Sequence, residues 1–210
     1  MVYPRRLISA SLRQGWPLYL AVTGILSLGI LTGSLGANSL QPEQAAELHR
    51  YIQTFLAQVS DIDLDRAQMA RSALYDNLLA GAIMYILGLT IICLPLVLAF
   101  IFIRGFVLGF TVGFLATQHQ MQGFFIVLMS MLPHNIFFVP ALIIGGTASL
   151  SFSILLIRRF YNSQITVWPG FLSYTLIMAG VMVVFFIAAL TEAYITPELT
   201  RFSATFLAGW

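Results

Sequence analysis

The sequence has few charges, a single cysteine and no lysine. Only 9% of its 210 residues are charged, and its ten basic residues are all arginines. Cys93 has no second cysteine to pair with, so an intrachain disulfide and a thiolate metal cluster are both excluded. A net charge of +2, with no run of more than two basic residues, argues against a nucleic-acid partner.

Long apolar runs fill the space between these charges. They cover residues 17–40, 77–103, 105–157 and 161–191, and each offers the roughly 20 apolar residues that a spanning helix needs. Hydrophobic residues make up 59% of the chain, which leaves no room for a separate catalytic domain. The sequence therefore predicts an all-α, polytopic integral membrane protein, with residues 1–210 as a single membrane domain in contact with lipid.

About five transmembrane helices are expected. The first apolar run is longer than the core of a signal peptide, so we expect the first helix to be uncleaved. An extracytoplasmic loop over residues 37–76 and a C-terminal interfacial helix over 196–210 complete the predicted domain. The expected spans are 17–36, 78–103, a short one at 105–117, a long one at 124–157 that is broken near Pro133, and 171–190.

The distribution of arginines predicts the orientation, because cytoplasmic loops collect arginine. If residues 105–117 cross the membrane, six arginines lie inside and four outside. If residues 105–132 form a re-entrant hairpin instead, the split is five and five. The first path is favoured, with a cytoplasmic N-terminus and an extracytoplasmic C-terminus in the cell membrane. Its cytoplasmic arginines are Arg5, Arg6, Arg13, Arg104, Arg158 and Arg159.

The outer loop contains a predicted amphipathic helix over residues 42–59. Pro42 suits its first turn, and four apolar residues recur at helical spacing along one face. This face has to be buried against something, and either a partner protein or the membrane surface fits. The candidate docking residues are Leu48, Ile52, Phe55 and Val59.

Glycine recurs at every fourth position over residues 105–113. Small residues let helix backbones approach closely in lipid, where the hydrophobic effect contributes little to helix association. The glycines therefore predict close packing within the chain, and a subunit interface or a thin-walled path is the alternative. The sequence does not define an oligomeric state. The packing candidates are Gly105, Gly109 and Gly113, with Phe106, Phe110 and Phe114 as a stripe beside them.

A second motif combines Pro133, His134, Asn135 and Pro140 in an otherwise apolar run. Each proline removes a backbone donor, and the polar side chains beside Pro133 could satisfy the freed carbonyl groups. The motif fits a structural kink, and it also fits a transport site in a broken helix. Within the predicted spans, His134 is the only ionisable candidate, since no Asp, Glu or Lys falls inside them.

No catalytic, cofactor or metal site is predicted. The acidic segment 61–65 resembles the start of a calcium loop, but Arg66 and Ser72 replace its glycine and glutamate. The three histidines lack the spacing of a zinc site. A membrane hydrolase would have to combine His134 with Ser130, Ser149 or Ser151. An enzyme is therefore not expected.

Several short motifs in fixed order resemble one family, stage II sporulation protein M. The resemblance covers nearly the whole chain, and the Gly-Phe-Thr-Val-Gly-Phe run is its most specific part. The motifs are Leu87-Gly88, Leu94-Pro95-Leu96, Arg104-Gly105-Phe106, Gly109-Phe110-Thr111-Val112-Gly113-Phe114, Leu132-Pro133-His134-Asn135 and Pro140-Ala141.

This resemblance implies a non-catalytic membrane scaffold in endospore formation. Such a protein would anchor and localise two peptidoglycan-degrading partners, the stage II sporulation proteins D and P, during septal wall thinning and forespore engulfment. The family often carries a glutamate at the position of Phe138, and its replacement here argues against an intramembrane acid–base role. A small-solute transporter or channel that uses Pro133, His134 and Asn135 is the alternative.

Overall fold

A computed structural model describes residues 4–48, 50, 66–91, 94–118 and 121–196. All regular structure within these residues is helical, which confirms the predicted all-α class. A short helical segment, 42–48, follows the first long helix. The long helices are α1 (Pro4–Asn38), α2 (Arg66–Gly88), α3 (Leu94–Gln118), α4 (Met121–Tyr161) and α5 (Trp168–Leu190), and α5 continues into a π-helical turn (Thr191–Ile195).

Four of the five long helices are long and apolar enough to cross a membrane. The fifth, α2, has a similar length but carries Arg66, Arg71 and Asp76 in its first half. The number is close to the five spans expected from the sequence, and the protein is a multi-pass membrane protein. The candidate spans are Trp16–Asn38, Leu94–Phe114, Met131–Tyr161 and Trp168–Ile195.

The structure divides the chain differently from the predicted spans 78–103 and 105–117. α2 ends at Gly88, a tight turn follows in which the Leu89 N–H donates to the Ile86 carbonyl at 3.1 Å, and α3 begins at Leu94. Pro95 suits this start because the first turn of a helix needs no backbone donor. α3 then continues through Arg104. The predicted boundary between two spans at Arg104 is therefore wrong, because this charged residue lies within a helix and not in a loop.

The helix α4 also differs from the expectation. It runs without interruption through Pro133 and Pro140, so the expected break near Pro133 is absent from the described helix. Membrane helices tolerate proline where neighbouring helices and polar side chains hold the segment in place. Phe138 and Leu142, which lie on either side of Pro140, are buried and supply that support.

Helices that follow one another along the chain alternate in direction, so α1, α3 and α5 point one way and α2 and α4 the other. Gly105, Gly109 and Gly113 of α3 meet Leu26, Ile30 and Ser34 of α1 in the same order, so α1 and α3 run parallel. α2 and α5 run antiparallel, because Gly88 lies beside Tyr174 whereas Asn77 lies beside Glu192. α4 and α5 are also antiparallel, as Phe152 stacks on Tyr174 and His134 contacts Ala188.

These directions give the bundle two distinct ends. α1 and α5 begin at the first, which we call the basic end, and α4 reaches Arg158 and Arg159 there. α1 and α5 end at the other, the acidic end, which carries Asp76 and Glu192. A buried apolar core joins all five helices between the two ends. Its fully buried members include Val22, Met84, Val97, Ile101, Leu142, Met178 and Phe185.

Candidate functional site

The predicted glycine face lies against α1. A Cβ atom added to Gly105 or Gly109 would overlap the backbone carbonyl oxygens of Leu26 or Ile30, and one on Gly113 would lie 2.9 Å from the Cα of Ser34. Glycine is therefore needed here because two helix backbones touch.

α1 contributes glycines of its own to the same contact. A Cβ on Gly29 or Gly33 would overlap the carbonyl oxygens of Phe102 or Phe106 in α3. The α3 glycines were predicted from their spacing, but Gly29 and Gly33 were not, although they stand four residues apart in the first apolar run. The α1–α3 contact is thus a two-sided glycine interface inside one chain.

The predicted phenylalanine stripe runs along α3 beside this interface. Its rings follow one another at centroid distances of 6.1 Å between Phe106 and Phe110 and 6.3 Å between Phe110 and Phe114. Phe114 is buried, whereas Phe106 is 36% exposed. The stripe therefore passes from the surface of the bundle into its interior toward the acidic end.

The Pro133 segment holds its two polar side chains in different ways. Asn135 donates from Nδ2 to the Met131 carbonyl of its own helix at 2.9 Å. His134 instead leaves α4, and its Nδ1 lies 3.3 Å from the Ala188 carbonyl of α5. Asn135 fits the predicted role of a local backbone partner, but His134 serves a contact between helices.

A carboxylate meets His134 at the same nitrogen. The Oε2 atom of Glu192 lies 3.3 Å from His134 Nδ1 and 3.4 Å from Asn77 Nδ2. Asn77 is 4% exposed and also donates to the Ala73 carbonyl at 2.8 Å. Glu192 thus joins α2 and α4 from the end of α5.

Arg104 completes this polar cluster, which we define as Asn77, Arg104, His134 and Glu192. Its guanidinium carbon lies 5.4 Å from the ring centroid of Phe100 and 5.5 Å from that of Phe138, within the range of a cation–π contact. Asp76 and Glu192 also attract this charge. An arginine in an apolar helix is costly without partners, and the rings of Phe100 and Phe138 supply them here.

The cluster lies close to the acidic end of the spans. The helix from Trp168 to Glu192 is about 36 Å long at roughly 1.5 Å per residue. This length slightly exceeds the roughly 30 Å thickness of the hydrocarbon core of a bilayer, so Glu192 lies near one end of the span. The Glu192 side chain is 46% exposed and that of His134 is 18% exposed. The cluster is therefore only partly buried, and it lies near the acidic end of the bundle.

A separate group of hydroxyls binds the last turn of α2. Ser149 donates from Oγ to the Met84 carbonyl at 3.1 Å, Tyr174 from Oη to that of Tyr85 at 2.9 Å, and Ser153 from Oγ to that of Gly88 at 3.0 Å. The last carbonyls of a helix have no partner within it. Side chains of α4 and α5 thus satisfy the C-terminus of α2 inside the bundle.

The docking candidates of the outer loop lie mostly outside the described residues. Leu48 belongs to helical segment 42–48, whose start is held by a hydrogen bond from the Gln41 N–H to Gln44 Oε1 at 3.2 Å. Ile52, Phe55 and Val59 fall outside the description, as do the predicted helix 196–210 beyond Thr196 and His49 and His119.

Sequence reasoning missed Glu192, Asn77 and the position of Arg104. Glu192 was placed beyond the last span because the predicted span ended at residue 190, whereas the π-helical turn carries the helix past Glu192. A detectable signal was present, because Asp76, Asn77 and Glu192 all directly border apolar runs. Within the described residues, no three side chains of the metal-binding types come together.

The comparison with known proteins gives one family. The family model described as stage II sporulation protein M matches residues 22–197, a range that contains the glycine interface, the polar cluster and the hydroxyl group. No curated protein and no solved structure matches the chain. Because the match spans most of the sequence, the chain belongs to the stage II sporulation protein M family.

Proposed function

We propose that this sporulation membrane protein is a non-catalytic scaffold that anchors and localises peptidoglycan-degrading partners. The partners implied by the family resemblance are the stage II sporulation proteins D and P, and the process is septal wall thinning with forespore engulfment. Family membership over residues 22–197 carries the proposal. This family is one of membrane proteins and is not a known enzyme class.

The packing of the bundle supports a scaffold. α1 and α3 touch backbone to backbone at Gly33 and Gly109, and hydroxyls of α4 and α5 hold the end of α2. Such contacts fix helices relative to one another and leave little space between them. A rigid bundle suits a protein whose role is to hold partners in position.

The two segments available for partners leave the bundle at the same end. The chain passes from the end of α1 into residues 39–65, and from the π-helical turn into residues 197–210, both at the acidic end. The basic end carries Arg158 and Arg159, and residues 5–13 of α1 add three arginines. This distribution favours a cytoplasmic basic end and partner segments on the outer face.

Co-purification tests the scaffold. Replacing Phe55→Glu puts a charge on the predicted apolar face of the loop and leaves every span unchanged, so we expect normal accumulation in the membrane and loss of partner capture. Gln53→Glu adds the same charge to the same loop away from that face, and we expect it to capture both partners. Retention of both partners by the Phe55→Glu protein would exclude this face as the docking surface.

A small-solute transporter is the second candidate, and one observation favours it. The sequence predicted no acidic partner for His134, whereas Glu192 provides one in the structure. Against transport, the groove at this segment holds about 410 Å³ and its lining is apolar, including Ile136, Pro140 and Gly180. Solute uptake by reconstituted vesicles that His134→Ala abolishes would favour transport over the scaffold.

A further inference from the structure

Arg104 is a charged residue in the middle of an apolar helix. It lies ten residues from either end of the candidate span Leu94–Phe114, which is about 15 Å of helix in each direction. Its side chain is only partly buried. An ionised side chain at this depth is costly unless it is paired, and such residues generally mark functional contacts.

The contacts of Arg104 inside the bundle leave its N–H groups without an acceptor. The rings of Phe100 and Phe138 engage the charge of the guanidinium rather than its donors. Glu192 attracts this charge, but its Oε2 atom already accepts from Asn77. Among the described residues, no hydrogen bond or ion pair ends on Arg104. A guanidinium carries five N–H donors, so most of its bonding capacity is unused.

The surface beside Arg104 is apolar and exposed. Ile103 precedes it on α3, Val107 lies one turn further along, and both side chains are exposed. Glu192 is the only acidic residue within the four candidate spans. An anion for Arg104 at this depth therefore has to come from outside the described spans.

We propose that Arg104 and this apolar surface bind a membrane-spanning helix of another protein that carries a carboxylate at mid-span. The guanidinium donates two parallel hydrogen bonds to the carboxylate. Ile103 and Val107 pack against the apolar neighbours of the acidic residue. This contact lies within the membrane, is separate from the docking face proposed for the outer loop, and holds whether or not that face binds a partner.

Two other occupants fit these observations less well. A second copy of this chain offers only Glu192, which lies near the end of its span and already accepts from Asn77. A lipid phosphate lies at the membrane boundary, beyond half of the roughly 30 Å hydrocarbon core. That distance exceeds the reach of one arginine side chain. The depth of Arg104 therefore favours a partner helix.

Binding of two model peptides tests the proposal. Both are synthetic transmembrane helices of leucine and alanine, and they differ only at one central residue, which is glutamate or glutamine. Energy transfer measures their binding to the labelled full-length protein in phosphatidylcholine vesicles at pH 8. Because bonds to a charged group are stronger than neutral ones, we expect roughly tenfold tighter binding of the glutamate peptide. Equal binding of the two peptides would overturn the proposal.

Two variants of the protein assign this preference to Arg104. Arg104→Gln removes the charge and Arg104→Lys keeps it, so we expect the first to lose the preference and the second to retain part of it. An unfolding temperature close to that of the parent protein shows that a variant is folded. A folded Arg104→Gln protein that keeps the full preference would refute the role of Arg104. If Arg104→Gln does not fold, the two peptides on the parent protein and the cross-linking below decide.

Disulfide cross-linking locates the contact on the bundle. In a Cys93→Ser background, Val107→Cys lies on the proposed surface, and Leu31→Cys is an exposed control on α1. The control has a similar depth, because its neighbour Ile30 lies against Gly109. We expect a glutamate peptide with a cysteine beside its central residue to cross-link to the first position and not to the second. Equal cross-linking to both positions would contradict the proposed surface.

Two further measurements test the other occupants. Energy transfer between differently labelled copies of the protein, without peptide, would assign the surface to a second copy if Arg104→Gln and Glu192→Gln each abolish it. Loss of the preference for the glutamate peptide when anionic phosphatidylglycerol is added to the vesicles would assign Arg104 to a lipid headgroup. We expect neither result, and either one would overturn the proposal.

Discussion

Nδ1 of His134 lies 3.3 Å from Oε2 of Glu192, although the two residues come from different helices. The same Oε2 atom lies 3.4 Å from Nδ2 of Asn77, so one carboxylate joins α2, α4 and the end of α5. Such an acceptor shared by two donors makes the three helix segments depend on the charge of Glu192. The bundle is therefore expected to respond to charge changes at its acidic end.

A second carboxylate at this point should be destabilising. Asn77→Asp keeps the size of a side chain that is 4% exposed, but places an acceptor where Glu192 now receives a donor. The Ala73 carbonyl also loses its side-chain donor. A buried group left unpaired costs about 1–3 kcal/mol, and more when it is charged. Thermal unfolding of the purified protein in detergent at pH 8 measures the loss.

The reciprocal pair provides the control for this prediction. Adding Glu192→Gln to Asn77→Asp restores one carboxylate and one amide with their positions exchanged. We expect the double variant to recover much of the lost stability, because the amide of Gln can donate to the new carboxylate. Equal stability of Asn77→Asp and the parent protein would show that Glu192 and Asn77 are not coupled.

Replacing one interface glycine by alanine, which adds a single methyl group, should destabilise the protein. Gly33→Ala or Gly109→Ala would press a Cβ against the backbone oxygen of Phe106 or Ile30, neither of which can rotate away. Overpacking of this kind costs about 1–3 kcal/mol and outweighs the roughly 1 kcal/mol that alanine adds to helix propensity. We expect a lower unfolding temperature in detergent for both variants.

Gly24→Ala is the matched control on the same helix. Nothing lies within 4 Å of the position that its Cβ would occupy, so only the gain in helix propensity remains. We expect its unfolding temperature to equal or slightly exceed that of the parent protein. Similar losses in Gly24→Ala and Gly33→Ala would contradict the close α1–α3 contact.

Removing a hydroxyl at the end of α2 should also weaken the bundle. Tyr174→Phe leaves the Tyr85 carbonyl without its donor at 2.9 Å while the ring keeps its stacking on Phe152. Hydrogen bonds between membrane helices contribute about 0.6 kcal/mol on average and up to about 1.7 kcal/mol. We expect a stability loss in this range for Tyr174→Phe and for Ser149→Ala. Ser151→Ala, at an exposed position of the same helix α4, should show none.

The class of the fold and the glycine pattern could be predicted from the sequence because both follow from periodicity. A long apolar run indicates a membrane helix, and glycines at Gly105, Gly109 and Gly113 share a face in any α-helix. The partner of that face could not be predicted. Only the three-dimensional arrangement shows that Gly29 and Gly33 of α1 meet it.

The polar cluster escaped prediction because charge was used to mark the ends of the spans. This rule places Arg104 and Glu192 in loops, although Phe138 and His134 provide partners for them inside the bundle. The cost of a charge in an apolar helix depends on what surrounds it, and a one-dimensional sequence does not contain that information. For the same reason, the boundary between two spans was predicted at Arg104, whereas the turn in the structure follows Gly88.

The last prediction concerns the sides of the membrane on which the two ends lie. Ser39 and Ser163 are exposed and follow α1 and α4, so they lie at the acidic and the basic end. In a Cys93→Ser background, each is replaced in turn by cysteine and treated with a membrane-impermeant maleimide on intact cells. Because arginines collect in cytoplasmic segments, we expect Ser39→Cys to react at once and Ser163→Cys to react only after permeabilisation. The opposite pattern would place the basic end outside, and reaction of both positions in intact cells would contradict the alternating directions of the helices.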